Sequence, residues 1–198
     1  MRPINRNVLR GHATREHLVA VATRLFAERG YEDTSIEAVL HETGASRGSM
    51  YHHFSGKEAL FEAVLEELEE RVGREAKAAA SGAREPVEAL LAGSLAWVRL
   101  ASDPVIQRVL LLDAPSVLGW QRWREMDERH ALGLIRAALE ACAAGGQLRP
   151  ELVDMFSHVL LAALNELALL IARAEDPPGA TRAAEMAIEE LIRRLLRS

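Results

Sequence analysis

Apolar residues recur every three or four positions along nearly all of this 198-residue chain. That spacing places them on one side of an α-helix, whereas a half-buried strand needs alternation. No run of alternating β-branched residues interrupts the pattern. The sequence therefore predicts an all-α protein.

Capping residues, glycines and prolines divide the chain into about nine expected helices. These lie near 14–29, 36–43, 46–54, 55–81, 87–101, 104–112, 117–144, 151–174 and 180–197. Residues 1–13 are polar, which favours disorder. We expect a disordered arm over 1–13, a small helical domain over 14–60 and a larger body over 61–198.

Composition bounds the class of protein. Hydrophobic residues make up 49% of the chain, enough for a sizeable core. The amino terminus lacks an apolar run, and the longest apolar stretch, VLLAALNELALLIA, is interrupted by Asn165 and Glu166. It is shorter than the roughly 20 residues of a membrane span. We expect a cytoplasmic protein with no membrane partner, and the single cysteine, Cys142, as a buried small hydrophobe.

The charge is unevenly distributed. Residues 1–57 carry eight Lys or Arg against six Asp or Glu, a net of +2, whereas the remainder carries 16 against 23, a net of −7. Local charge steers association more than total charge does. A basic end on an acidic body is compatible with a nucleic-acid partner for the first quarter of the chain.

The stretch GASRGSMYHHF, residues 44–54, follows a short helix and begins another. Gly44 turns the chain, Ser46 caps the new helix, and Met50 with Phe54 forms its inward pair. A short helix, a glycine turn and a second short helix form a helix-turn-helix. The second helix of such a unit enters the major groove of DNA.

The outward face of this second helix carries groups that suit a duplex. Setting Met50 inward turns Gly48, Ser49, Tyr51 and His52 away from the core, with Arg47 at the margin. Arg47 can bond guanine, Ser49 a base edge, and Tyr51 a thymine methyl group or a phosphate. Gly48 allows close approach of the backbone, and the donors on His52, His53 and Lys57 suit phosphate oxygens.

Other chemistry fits the same residues less well. The adjacent His52 and His53 point about 100° apart on a helix and cannot share one metal ion. Ser49 and His53 stand four residues apart, as a nucleophile and base could, but no glycine elbow, orienting acid or oxyanion loop accompanies them. We therefore predict no enzyme activity, no metal and no cofactor. A helical interaction module that has lost affinity for DNA is a further alternative.

Residues 14–66, TREHLVAVATRLFAERGYEDTSIEAVLHETGASRGSMYHHFSGKEALFEAVLE, resemble the DNA-binding head of the tetracycline-repressor (TetR) family. The resemblance implies a dimer of all-helical protomers with a ligand-binding body. It places Arg47, Gly48, Ser49 and Tyr51 against bases. The residues that it places where phosphate is contacted, or where those contacts are oriented, are Thr34, Ser35, His52, His53 and Lys57. The predicted DNA-binding residues are Thr34, Ser35, Ser46, Arg47, Gly48, Ser49, Tyr51, His52, His53 and Lys57.

One position departs from the pattern of some family members. Glu37 lies where they present an arginine to a base. A carboxylate there can only accept, for instance from cytosine N4. It can equally complement the helix dipole at the start of its helix, which is the interpretation we favour.

The last two expected helices carry more apolar surface than one protomer readily covers. Residues 152–171 are apolar nearly all round, and the final helix has one clean apolar stripe. Pairing with symmetry mates would form a four-helix interface. The alternative is that both helices pack only within the protomer. The predicted dimer residues are Phe156, Leu160, Leu164, Leu167, Ile188, Leu191 and Leu195.

Aromatic and polar residues in the body can form a ligand pocket. Trp120, Trp123 and Met126 repeat every three residues, with Trp97 upstream. An aromatic stripe at this spacing is more often core packing. The predicted pocket residues are Trp97, Trp120, Trp123, Met126, His130, Met155, His158 and Asn165. These features and the resemblance to the TetR family together predict a ligand-responsive repressor that binds double-stranded DNA, a pseudo-palindromic operator, as a homodimer. Release by a small-molecule effector is what the resemblance implies.

Overall fold

The computed structural model describes residues 6–196. Ten α-helices follow in chain order: α1 Arg6–Arg29, α2 Ile36–Thr43, α3 Arg47–His53, α4 Lys57–Ala80, α5 Pro86–Leu100, α6 Ala114–Leu118, α7 Trp120–Asp127, α8 Gly133–Ala144, α9 Val153–Ala172 and α10 Pro177–Leu195. Two π-helical segments, Ile106–Asp113 and Glu128–Leu132, and a 3-10 turn, Pro150–Leu152, join their neighbours. The described residues thus form nine continuous helical runs without a strand, which confirms the all-α prediction.

The first helix begins at Arg6 and not near Thr14. Part of the predicted disordered arm, residues 6–13, is therefore helical, whereas residues 1–5 lie outside the described residues. Nothing between Arg6 and Arg29 breaks the helix: proline is absent and Gly11 is the only glycine. One glycine costs a helix only about 1 kcal/mol, which long flanking segments can offset.

The first three helices pack on the start of α4 around an aromatic cluster. Phe26 and Phe61 are fully buried, with ring centroids 5.0 Å apart in an edge-to-face arrangement. Tyr31 stacks on Phe26 at 5.8 Å. Met50 from α3 is also fully buried. This small core holds one face of α3 in place and leaves the other face of that helix exposed.

The middle of the body is less regular than predicted. The helix expected over 117–144 is broken at Gly119, whose φ of +80° favours glycine. It then passes through the π-helical segment Glu128–Leu132 before α8. Such wide turns rotate the following side chains relative to a regular α-helix. Cys142 is buried as predicted, and burial raises the pKa of its thiol.

Helix α9 is longer than the apolar stretch considered in the sequence. By length and composition alone, the 23 residues Pro150–Ala172 could cross a membrane, since an 18-residue window within them has a mean hydropathy of 1.8. The argument from insufficient length is therefore wrong. Within the fold, 44% of this window is buried, with Leu160, Leu161 and Leu164 against the body. Many of its apolar side chains therefore belong to the core of the body.

Candidate functional site

Local hydrogen bonds fix the turn between α2 and α3. The Ser35 hydroxyl accepts from the Ala38 N–H at 3.1 Å and caps α2. Gly44 ends that helix with φ +67°, and its N–H donates to the Leu40 carbonyl at 2.9 Å. The Ser46 hydroxyl then accepts from the Ser49 N–H at 3.1 Å and caps α3. These are the caps that the sequence predicts, and they set the angle between the two helices.

Helix α3 has one buried and one open face. Met50 is buried and Phe54, which follows the helix, is 5% exposed, whereas Tyr51 is 49% exposed. Arg47, Gly48 and His52 are exposed and Ser49 is half-buried. The structure therefore brings the four predicted base-contacting residues onto one surface together with His52, which is predicted to contact phosphate. This surface is here called the α3 face: Arg47, Gly48, Ser49, Tyr51 and His52.

The arginine on the α3 face is already engaged. An Arg47 guanidinium nitrogen lies 2.6 Å from Glu37 Oε1, and both side chains are more than 60% exposed. Neither sequence interpretation of Glu37 included this pair. The pair holds Arg47 over α2. Contact with a base therefore requires the Arg47 guanidinium to leave Glu37 for an acceptor on the base.

Other predicted DNA-binding residues lie behind the α3 face. Thr34 is buried, and its hydroxyl donates to the Gly30 carbonyl at 2.8 Å. Lys57 Nζ donates to the Tyr31 carbonyl at 2.8 Å and lies 4.1 Å from the centroid of the Tyr31 ring. Thr34 is thus restricted to orienting the turn. The Lys57 ammonium group is bound to both the backbone carbonyl and the ring of Tyr31.

The two histidines differ in environment. His52 is exposed, whereas His53 is half-buried, with its ring centroid 5.2 Å from that of His52. Burial, followed by the neighbouring His52 and Arg15, lowers the pKa of His53. A neutral imidazole still donates one hydrogen bond to phosphate but brings no charge. Among residues 6–196, no group of three or more His, Cys, Asp or Glu can hold a metal ion.

A second feature is a cavity of about 160 Å³ in the body. Its walls come from α4, α5, α9 and the segment from Asp127 to α8. Most of its lining residues are apolar or small, among them Val72, Leu90, Leu134, Ile135 and Leu161. The body therefore contains a partly open, mostly apolar space suited to a small ligand.

The structure brings only part of the predicted pocket set to this body cavity. Trp97, His130 and Asn165 line it. Trp123 and Met126 are buried elsewhere, and the Trp123 indole N–H donates to the Leu110 carbonyl at 3.1 Å. For these two residues the structure therefore supports core packing and not a pocket. The remaining three lie outside the lining: Trp120 and Met155 are exposed, and His158 is half-buried.

Two acids missed by the sequence analysis face the body cavity. Glu69 and Asp127 are 5% and 6% exposed and both line it. Burial, then the charges of Asp127 and Glu66, raise the pKa of Glu69 to about 8. Burial raises the pKa of Asp127 to about 6, although Asn165 Nδ2 donates to it at 2.6 Å.

A sequence signal for Glu69 did exist. It continues the apolar stripe of α4, four residues after Leu65 and three before Val72. An acid at such a position points toward the core. Asp127 carries a similar signal, because it stands four residues after the buried Trp123 within α7.

The predicted dimer residues are divided by burial. Leu160, Leu164 and Ile188 are buried within the protomer, which supports the alternative of intramolecular packing for them. Phe156, Leu167 and Leu195 are half-buried, and Leu191 is 39% exposed. The large apolar side chains of α9 and α10 that remain exposed, here together called the α9–α10 face, are Met155, Val159, Leu170, Met186 and Leu191.

Comparisons with known proteins agree with this arrangement. A model of the bacterial regulatory proteins of the tetR family matches residues 18–64. A second model, the tetracyclin repressor-like C-terminal domain, matches residues 87–195, more than half of the chain. The two matches cover the turn with the α3 face and most of the body.

Individual relatives are transcriptional regulators and not enzymes. The repressor AcnR of Corynebacterium diphtheriae is 29% identical over 180 residues, 90% of this chain and 91% of AcnR. The regulator LmrA of Bacillus subtilis is 34% identical over 80 residues, which cover 40% of this chain and less than half, 43%, of LmrA. A crystal structure of a TetR-family regulator from Pectobacterium atrosepticum has a TM-score of 0.85, 29% identity, and coverage of 98% and 99% of the two chains. This chain therefore belongs to the TetR family of bacterial transcriptional regulators.

Proposed function

We propose that this regulator is a homodimeric repressor that binds a pseudo-palindromic operator and leaves it when a small molecule occupies the body cavity. The observation that carries the proposal is the α3 face, an open surface with an arginine, a serine, a tyrosine and a histidine on a rigid glycine turn. Repression is supported by the name of the relative AcnR, a transcriptional repressor. The proposed place of action is the cytoplasm.

The proposed roles on the α3 face follow from exposure. Arg47 and Tyr51 reach furthest and contact base edges, and His52 donates to phosphate. A Cβ atom built on Gly48 meets nothing within 4 Å, so the space above it is open to a duplex. Ser35, Thr34 and Lys57 act through the backbone that they hold.

Two protomers are required because one α3 helix contacts too short a stretch of DNA. One seven-residue helix reads only a few base pairs, whereas two α3 helices about 34 Å apart fit successive major grooves. The α9–α10 face is the surface that we assign to dimerisation. This assignment excludes three residues of the sequence prediction that are buried within the protomer, Leu160, Leu164 and Ile188. It adds four exposed residues: Met155, Val159, Leu170 and Met186.

Release follows from differential affinity. The effector fits the body cavity best when the spacing of the two heads does not match the operator, so its binding weakens operator binding. By linkage, DNA weakens effector binding by the same factor. The cavity touches α4, which continues into the head. A shift of α4 therefore moves the α3 face.

Selection of bound sequences from random duplex DNA tests the proposal. We expect an inverted repeat and an affinity that falls steeply with salt because phosphate contacts release counterions. Arg47→Ala should relax the preference at one position of each half-site, whereas Lys57→Ala should weaken all duplexes alike. Recovery of no common sequence, together with salt-independent binding, would contradict operator recognition.

A further inference from the structure

We propose that the effector is a small primary amine, bound as its ammonium ion, with an apolar group about the size of one benzene ring. The inference rests on the proposed function, because it names the class of ligand for the body cavity. Glu69 and Asp127 carry the recognition, and Trp97 supports it.

Glu69 has no hydrogen-bond or ion-pair partner among the described residues, although it is only 5% exposed. Leaving a buried carboxyl group unpaired destabilises a fold. Such a group is retained where a ligand supplies its partner. Its place in the cavity wall means that the missing partner lies inside the cavity.

The polar groups around Glu69 favour a cation. Asp127 adds a second buried carboxyl group, held by Asn165 Nδ2 at 2.6 Å. The Trp97 indole lines the same space and donates its N–H to the Leu164 carbonyl at 3.3 Å. Paired carboxylates attract an ammonium group, and an indole ring adds a cation–π contact. An anionic ligand would meet two acids.

Charged groups on neighbouring elements offset this pair only in part: burial raises the pKa of Asp127 and the charges of Arg124 and His130 oppose that rise, but neither pairs with Glu69. His130 is bound to Glu66 at 2.6 Å, and Arg124 to Glu128 at 3.1 Å. Lys77 also lines the cavity, but it is exposed and two helical turns beyond Glu69, about 12 Å along α4. The positive charge of Lys77 therefore lies toward the mouth, away from the acids.

Size and apolar walls limit the rest of the ligand. The cavity of about 160 Å³ is close to the roughly 150 Å³ that holds benzene in an engineered apolar site. A hydrated divalent metal ion needs about six oxygen ligands, which these walls do not offer. A hydrocarbon ring or short chain with one ammonium group satisfies both the walls and the acids.

Binding should release a proton. The pKa of Glu69 is raised to about 8, so its carboxyl group is mostly protonated at pH 7 in the empty cavity. An ammonium ion entering beside it stabilises the carboxylate, and the carboxyl proton passes to the buffer while the ammonium keeps its own. The balance is one carboxylate–ammonium pair formed and up to one proton released.

Calorimetric titration of the full-length protein with benzylamine, benzyl alcohol and benzoate tests the ligand class. A ligand of this size reaches a Kd on the order of 1 mM, so titration extends to about 10 mM. We expect benzylamine to bind at least tenfold more tightly than benzyl alcohol, with roughly similar ring contacts, and benzoate not to bind. Hexylamine and phenethylamine complete the panel. Failure of all three amines to bind would overturn the proposal, as would equal affinity for alcohol and amine.

Variants assign the effect to the cavity. Glu69→Gln should weaken benzylamine by about tenfold or more, leave benzyl alcohol unchanged and abolish the proton release seen between buffers of different ionisation enthalpy. Glu67→Gln, an exposed acid on the same helix, is the matched control and should change nothing. If Glu69→Gln binds benzylamine as the native protein does, the assignment to this carboxyl group is wrong.

Operator binding separates the two proposals. Amine binding with the expected Glu69 dependence supports the ligand class, and a fall in operator affinity at saturation supports the effector role. Amine binding without any change in operator affinity would overturn the effector role alone. Operator binding that responds to some other molecule, with no amine bound, would overturn the ligand class alone.

Discussion

The backbone N–H of Tyr31 donates a hydrogen bond to Asp113 Oδ2 at 2.8 Å, which joins the turn after α1 to the end of the first π-helical segment. Arg108 approaches the same carboxylate at 3.2 Å. Gly30, with φ +81°, leaves room for the Arg108 guanidinium, since a Cβ there would collide with it. Asp113 is thus one of the residues that connect the head to the body.

Replacing Asp113 should weaken that connection. Asp113→Ala leaves the partly buried Tyr31 N–H without its acceptor, and we expect a loss of about 1–3 kcal/mol in the free energy of unfolding. Asp113→Asn keeps an acceptor oxygen and should lose less. Urea denaturation of both variants measures the difference. Equal losses in the two variants would assign the effect to charge and not to the hydrogen bond.

Glu37→Gln should raise affinity for duplex DNA. The change frees Arg47 from its 2.6 Å ion pair and removes an acid beside the phosphates. An exposed pair contributes about 0.2–1 kcal/mol, so we expect an increase of up to roughly fivefold. Fluorescence anisotropy with a labelled duplex measures it, with Glu175→Gln as a control of equal charge outside the head. A loss of affinity confined to the selected operator would instead favour acceptance from cytosine by Glu37.

Stability should fall with rising pH because of Glu69. The unfolded carboxyl group loses its proton near the ordinary value of 4.5, whereas the folded one keeps it until about pH 8. Between these values the folded state binds more protons, so its stability declines on the order of 1 kcal/mol per pH unit and levels off above pH 8. Glu69→Gln should flatten this part of the profile. Denaturation at pH 5, 6.5 and 8 measures it, and parallel profiles would contradict the raised pKa.

Val159→Asp should dissociate the proposed dimer without unfolding the protomer. Val159 is 50% exposed in the single chain, so the change costs the protomer little, but each dimer would bury two unpaired carboxylates. We expect the dimer dissociation constant to rise at least about 100-fold by analytical ultracentrifugation. Leu112→Asp, at an exposed leucine outside the α9–α10 face, is the control. A dimer of unchanged strength would move the interface elsewhere.

The head was predictable from the sequence because short-range interactions determine its geometry. Ser35, Gly44 and Ser46 act on backbone groups within four residues, so their spacing along the chain already fixes the turn. The inward pair Met50 and Phe54 then fixes which face of α3 is open. Cap, turn and face are all local properties, and the structure agrees with each of them.

The tertiary structure alone determined what lies in the body cavity and on the α9–α10 face. A uniformly apolar helix such as α9 has no local feature that selects Leu160 for the core and Val159 for the surface. The break at Gly119 starts α7 in a new direction, and contacts with other helices then place Trp123 in the core and Asp127 at the cavity. Side-chain direction there depends on contacts between helices far apart in sequence, and spacing along one helix does not encode them.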